Sequence, residues 1–162
     1  MPKTIVVDPL SRSSLTDAIK ELKKYKRWVA KKERELRMRL ATRGATVASI
    51  QFSRAVYSGT NDVTVRVDDD GSGATIYADG SSVAFIEFGS GAKYGYGHPM
   101  NAELGTGAGT YPAGKGHWDD PRGWYYGHGE HTFGNPPAMA MLNARDRMVE
   151  ELTQIAREVF RS

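Results

Sequence analysis

The chain has 162 residues and no cysteine, enough length for one domain with its own core and no means of building a disulfide framework, a thiolate nucleophile or a sulfur-ligated metal site. Its only apolar run near the start is Ile5-Val6-Val7, and no segment approaches the roughly 20 apolar residues of a membrane span, which predicts a soluble, unexported protein with no membrane partner. The formal net charge of +3 is smaller than the excess inside residues 20–39 alone, where ten Lys and Arg stand against three Glu, so any attraction for polyanions resides in that stretch.

Ser14-Leu15-Thr16-Asp17 has the form of a capping box, the hydroxyl and carboxylate satisfying free N–H groups of a first helical turn. From there Leu15, Ala18, Ile19, Leu22, Tyr25, Val29, Leu36 and Leu40 recur near helical spacing, and Gly44 is placed to stop the run. Such a helix reaches about 42 Å, longer than a compact domain of this size needs, so part of it is expected to project or kink. Residues 45–52 fit either more helix or a first strand. Val63-Thr64-Val65-Arg66-Val67 and Ala74-Thr75-Ile76-Tyr77-Ala78, joined by Asp68-Asp69-Asp70-Gly71-Ser72-Gly73, predict an antiparallel hairpin. Val83-Ala84-Phe85-Ile86-Glu87-Phe88 is an apolar run broken by one carboxylate, and burial is expected.

Residues 89–135 hold 13 of the 18 glycines, all four histidines, Trp118, Trp124 and five tyrosines, with no regular period. That composition predicts a long functional insertion whose rings are buried against something. After Pro136-Pro137, periodicity returns in a broad apolar face from Ala138 to Phe160, a closing helix. The expected fold is α+β in a single domain over residues 1–162: long N- and C-terminal helices on a small, mainly antiparallel sheet, with the insertion at about 89–135.

Several motifs suggest chemistry, and each has a plainer reading. Gly109-Thr110-Tyr111-Pro112-Ala113-Gly114-Lys115 matches a phosphate-binding loop until Gly116, where magnesium binding needs a hydroxyl. Asp68, Asp70, Ser72, Gly73 and Asp79 fall on a calcium-loop pattern, but between strands and closed by Asp rather than Glu, so an acidic hairpin turn explains them. His128-Gly129-Glu130-His131, with His98 and His117, offers metal-ligating atoms without the spacing of a helical zinc motif. Glu87 is the carboxylate placed to sit near the core, where a partner has to satisfy it; no second acid is fixed beside it by spacing. No metal and no cofactor is assigned. The basic helix could neutralise phosphates, with Tyr25 and Trp28 stacking on bases.

Two linked motifs carry a family resemblance: Val83-Ala84-Phe85-Ile86-Glu87-Phe88-Gly89-Ser90-Gly91, and Gly134-Asn135-Pro136-Pro137-Ala138-Met139-Ala140-Met141 opening the last helix, with Gly123-Trp124-Tyr125-Tyr126 between them. In this order, behind a charged N-terminal helix and a short sheet, they resemble the tail-component family of siphophages, the tail-completion or neck proteins. Ser90 stands where the family has Thr, and Met139 and Met141 stand for its usual aromatic or Phe-Met pair. The resemblance implies a virion structural protein without catalysis, assembled in the host cytoplasm. It would form a homo-oligomeric, hexameric ring between head-closure (connector) proteins and the tail tube or tail terminator, with DNA passing through the lumen. It further implies interface anchors at Trp118, Trp124, Tyr125, Tyr126, His128 and Phe133, and a scaffold turn at Glu87, Phe88, Gly89, Gly91, Pro136 and Pro137. Lys23, Lys24, Lys26, Arg27, Lys31, Lys32 and Arg34 would face the lumen or an acidic partner. Two rival readings are a nucleic-acid-binding module using the basic helix, and a metal-dependent hydrolase using His117, His128, His131 and Glu87.

Overall fold

The computed structural model describes residues 4–105, 120–125 and 129–161. Its longest element is helix α1, Arg12–Arg54, of 43 residues and about 65 Å. The cap is Ser11, whose hydroxyl accepts from Ser14 N at 3.3 Å. Ser14 therefore lies inside the first turn rather than capping it, and its own hydroxyl accepts from Asp8 N at 2.9 Å, fastening the preceding segment to the helix start. Gly44 does not end the helix. It is buried midway along α1, at a point where an added Cβ would lie 2.6 Å from Ile76 Cδ1 and 2.7 Å from Met148 Sδ. A glycine there serves close packing, and α1 runs on through residues 45–52 until Asn61 Nδ2 donates to the carbonyl of Phe52 at 2.8 Å.

Strands β1, Thr64–Asp69, and β2, Ala74–Asp79, form the expected antiparallel hairpin, with Thr64 opposite Asp79 and Asp69 opposite Ala74. Val65, Val67, Ile76 and Ala78 alternate toward α1, and Thr64, Arg66, Thr75 and Tyr77 point to solvent. The turn satisfies itself: Asp70 Oδ1 accepts from Gly73 N at 2.7 Å, Ser72 N at 2.8 Å and the Ser72 hydroxyl at 2.8 Å. Those bonds, with the Ser72 hydroxyl first in strength, hold the Asp70 carboxyl below its ordinary pKa. Arg34 Nε, 2.9 Å from Asp69, and Arg37, donating to the Gly71 carbonyl at 3.0 Å, pin the hairpin tip to α1. At the other end of the hairpin, Asp62 accepts from Ser81 N at 2.7 Å, the Ser81 hydroxyl at 2.8 Å and Ser82 N at 3.0 Å.

The apolar run that follows is a short helix, α2, Val83–Phe88. Two single-turn helices, α3, Gly91–Tyr94, and α4, Asn101–Leu104, come next, so the expected irregular insertion begins with ordered turns. Strands β3, Trp124–Tyr125, and β4, His131–Thr132, make a second two-residue ladder. The closing helix α5, Ala140–Arg161, has 22 residues and spans about 33 Å. It runs antiparallel to α1: Met148 meets Gly44, Arg43 pairs with Glu151 at 2.8 Å, and Trp28 meets Phe160 edge-on at 5.9 Å. Ala48, Phe52, Ile86, Ala140 and Ala144 form the core where α1, α2 and α5 converge, with Val63, Val65 and Ala78 of the hairpin region packed against it. The α+β class and the two long helices on a small antiparallel sheet are as expected from sequence. Among the described residues no helix is long and apolar enough to cross a membrane.

Candidate assembly surfaces and the Glu87 junction

Glu87 is buried in α2, and its carboxylate accepts from Met141 N at 3.0 Å and Leu142 N at 3.2 Å. These are free N–H groups of the first turn of α5, so a residue over fifty positions upstream caps that helix and places a negative charge at its positive end. The helix needs this, because it starts behind Pro136, Pro137 and a Met139 held at φ 51°, a stretch that supplies no side-chain cap of its own. His98, also buried, has Nε2 3.5 Å from Glu87 Oε1, while its Nδ1 accepts from Met100 N at 3.1 Å, which places the proton on Nε2 facing the carboxylate. The Phe88 ring packs on the imidazole at 4.7 Å.

Around this contact the two sequence motifs lock together. Ser90 N donates to the Asn135 carbonyl at 2.9 Å and Asn135 N to the Ser90 carbonyl at 3.2 Å, their side chains hydrogen-bond, and Asn135 Nδ2 donates to the Phe85 carbonyl at 2.8 Å. Ala138 N and Met139 N donate to the Ile86 and Glu87 carbonyls at 2.8 and 3.2 Å. Gly89 has φ 77°, and a Cβ there would lie 2.9 Å from the Asn135 carbonyl oxygen and from the Pro137 ring. Only glycine fits so close a crossing. Glu87, Phe88, Gly89, Gly91, Pro136 and Pro137 thus share one junction. The Glu87 carboxylate and the Asn135 amide are bonded to backbone, while the buried His98 Nε2 faces Glu87 without a full hydrogen bond. Among the described residues no three His, Asp or Glu side chains gather in the manner of a metal site.

Of the aromatic anchors, Trp118, Tyr126 and His128 lie outside the described residues, as does His117. Trp124 is half-buried in β3, whereas Tyr125 beside it is 72% exposed. Tyr125 and Phe133 each meet the His131 ring edge-on at 4.7 Å, and His131 Nε2 lies 2.9 Å from the Arg122 carbonyl. His131 and Phe133 line an open cleft of about 670 Å³ between α3 and β4.

The basic stretch divides. Lys32 is buried, its amine 3.4 Å from Glu35, so it does not belong to an exposed face. Arg34 is paired to Asp69 and Lys24 to Glu21, both at 2.9 Å. Lys20, Lys23, Lys26, Arg27 and Lys31 are exposed and have no acidic partner among the described residues.

The sequence predicted that part of α1 would project or kink; how far it projects was not legible. Because α5 ends beside Trp28, the helix before it projects past the body by about 24 Å. Its apolar stripe of Leu15, Ile19, Leu22 and Tyr25 is between 41 and 56% exposed. The spacing of these residues was visible, but their lack of cover depends on the shorter length of α5. No protein-family model, curated protein or solved structure matches the chain.

Proposed function

We propose that this chain is a structural, non-catalytic subunit of a tailed-phage neck, joining head to tail as a member of a homo-oligomeric ring. The observation that carries the self-assembly part of this reading is the projecting stripe of α1. Four large apolar side chains exposed in one line on a helix are a surface that another chain covers. Exposed Phe133 at an open cleft, with exposed Tyr125 on the neighbouring His131 ring, adds a second contact surface of the aromatic kind that interfaces favour. The phage assignment rests on the resemblance of the paired motifs around Glu87 and Asn135. Their mutual locking gives those motifs a common physical role, which is to hold the base of a long excursion against the core. The test is molar mass by light scattering across concentration, for the protein alone and mixed with the tail-terminator and head-closure proteins of the same phage. A ring, alone or on mixing, is the expected result; a monomer indifferent to both partners would sink the proposal.

The exposed cluster of Lys20, Lys23, Lys26, Arg27 and Lys31 favours a second reading, a nucleic-acid-binding module. It demands that the isolated chain bind DNA with an affinity falling steeply with salt, as counterion release requires. In a ring the same cluster would line the DNA passage or meet an acidic neighbour, and tight binding of free DNA is not required.

A further inference from the structure

Two strands about 5 Å apart cannot cover two helices packed about 9 Å apart. The β1–β2 hairpin lies mainly over α1, and beside it, over α5, the sheet layer is vacant among the described residues. The gap is a groove of about 430 Å³ with Leu40 and Ala41 of α1 as its floor, Ile76 of β2 on one side and Met141 and Met148 of α5 on the other. The facing edge of β2 is unpaired. Asp70 N donates to the Gly73 carbonyl, which fixes the hydrogen-bonded pairs of the ladder, so the backbone groups of Ile76 and Ala78 point outward, toward the groove. An apolar trough with a free strand edge along one wall is the seat of an added strand.

The chain carries a segment of the right chemistry. Residues 4–7, Thr-Ile-Val-Val, precede α1 without helix or strand, and Val6 is 86% exposed. These β-branched residues favour a pleated strand, in which Ile5 and Val7 face one way and Val6 the other. The segment cannot reach its own groove. Asp8 is tied to Ser14 at the helix start, and Leu40 lies about 42 Å further along α1, while four extended residues span about 14 Å.

We propose that the vacant half of the sheet layer is filled by residues 4–7 of a second copy, which add as a third strand along β2 with Ile5 and Val7 lowered onto Met141 and Met148. The projecting part of α1 acts as the boom that carries this arm across to the neighbour. The inference rests on the self-assembly in the reading above and specifies its contact. With arm and groove far apart on one copy, the proposed arrangement is that each copy gives an arm to one neighbour and accepts one from another, the head-to-tail pattern that closes into rings.

The chain has no cysteine, so introduced pairs give a clean readout. V6C protein is mixed with T75C or with Y77C protein, both exposed positions on the outer face of β2, and the mixture is oxidised. Expected is a disulfide-linked heterodimer with one of them, suppressed when an excess of cysteine-free full-length chain competes for the groove but not when the competitor is a cysteine-free chain lacking residues 1–7. That shortened chain keeps Asp8, should melt like the full chain, and should self-associate about a hundredfold more weakly for loss of two buried β-branched side chains. No cross-link at either position, together with unchanged assembly of the shortened chain, would overturn the arm and leave the ring standing. A full-length chain that stays monomeric even with the neck proteins would overturn the ring reading itself and the arm with it.

Discussion

The part of α1 that lies beside α5 and the part that projects beyond it both carry many basic residues, yet they are held by different forces. Beside α5, Gly44, Ala48 and Phe52 are buried against Ile76, Met148 and the α2 junction, and the helix is set by tertiary packing. Beyond it, the helix depends on its Ser11 cap and local pairs such as Glu21–Lys24, while Leu15, Ile19 and Leu22 face solvent. Isolated helices of that length are marginal in water. The projecting part is therefore easy to alter without harm to folding, and on the proposed reading it is the part on which assembly depends, whereas the body is fixed by packing.

The largest effect is expected in the body, at the cap of α5. Glu87→Ala removes a buried carboxylate that accepts from Met141 N and Leu142 N, and urea denaturation should show a loss of roughly 3 kcal/mol. Glu87→Gln, which keeps an acceptor but not the charge, should lose less. Next comes Gly44→Val, which drives two methyl groups into Ile76 and Met148 and should cost roughly 2 kcal/mol in the same measurement, since Val gains only about 0.3 kcal/mol of helix propensity over Gly. In the projecting part, Ile19→Ser with Leu22→Ser should change stability by less than about 1 kcal/mol, yet strip the high-mass species from the light-scattering profile.

A smaller contrast appears in acid. The hydroxyl and N–H groups of Ser82 and Ser81 hold the Asp62 carboxyl well below its usual range. A folded pKa below the unfolded one contributes stability above about pH 4 that is lost as the pH falls toward the folded value. The stability gap between the protein and its Asp62→Asn variant should therefore be constant near neutrality and close progressively below about pH 4. Smallest of all, Arg43→Ala breaks an exposed pair with Glu151 and should leave the melting temperature unmoved, because solvent screens such pairs.

These contrasts follow what the sequence could and could not disclose. Local patterns were legible: the alternation of β1 and β2, the helical period of α5, the turn chemistry of Asp70 and Gly71. The broad apolar face expected on α5 is narrower in the structure, since Val149 and Leu152 are 65 and 44% exposed. Readings that needed a distant partner went astray. Gly44 looked like a helix stop because its neighbours in space, Ile76 and Met148, are far along the chain. Ser14 looked like a cap, but the true cap is Ser11, and the Ser14 hydroxyl is engaged by Asp8. Lys32 looked like part of a solvated charged face until its burial near Glu35 withdrew it. Glu87 was recognisable as a carboxylate in need of a partner; that the partner is the start of α5 follows only from the meeting of two motifs far apart in the chain. The vacant half of the sheet layer was invisible for a related reason, since it depends on how few strands there are relative to helices.

The reciprocal bonds between Ser90 and Asn135, 45 positions apart, act as a clasp at the neck of a loop. Once such a clasp is shut, the entropy of the enclosed chain grows only logarithmically with its length, about 0.6 kcal/mol for each doubling. The length of chain inside the clasp therefore costs the body little, provided that His98 stays against Glu87 and Phe88 and Gly97 against Pro137. A foreign segment grafted between Gly105 and Asp120, which keeps those contacts, should leave α1, the hairpin and α5 folded as they are.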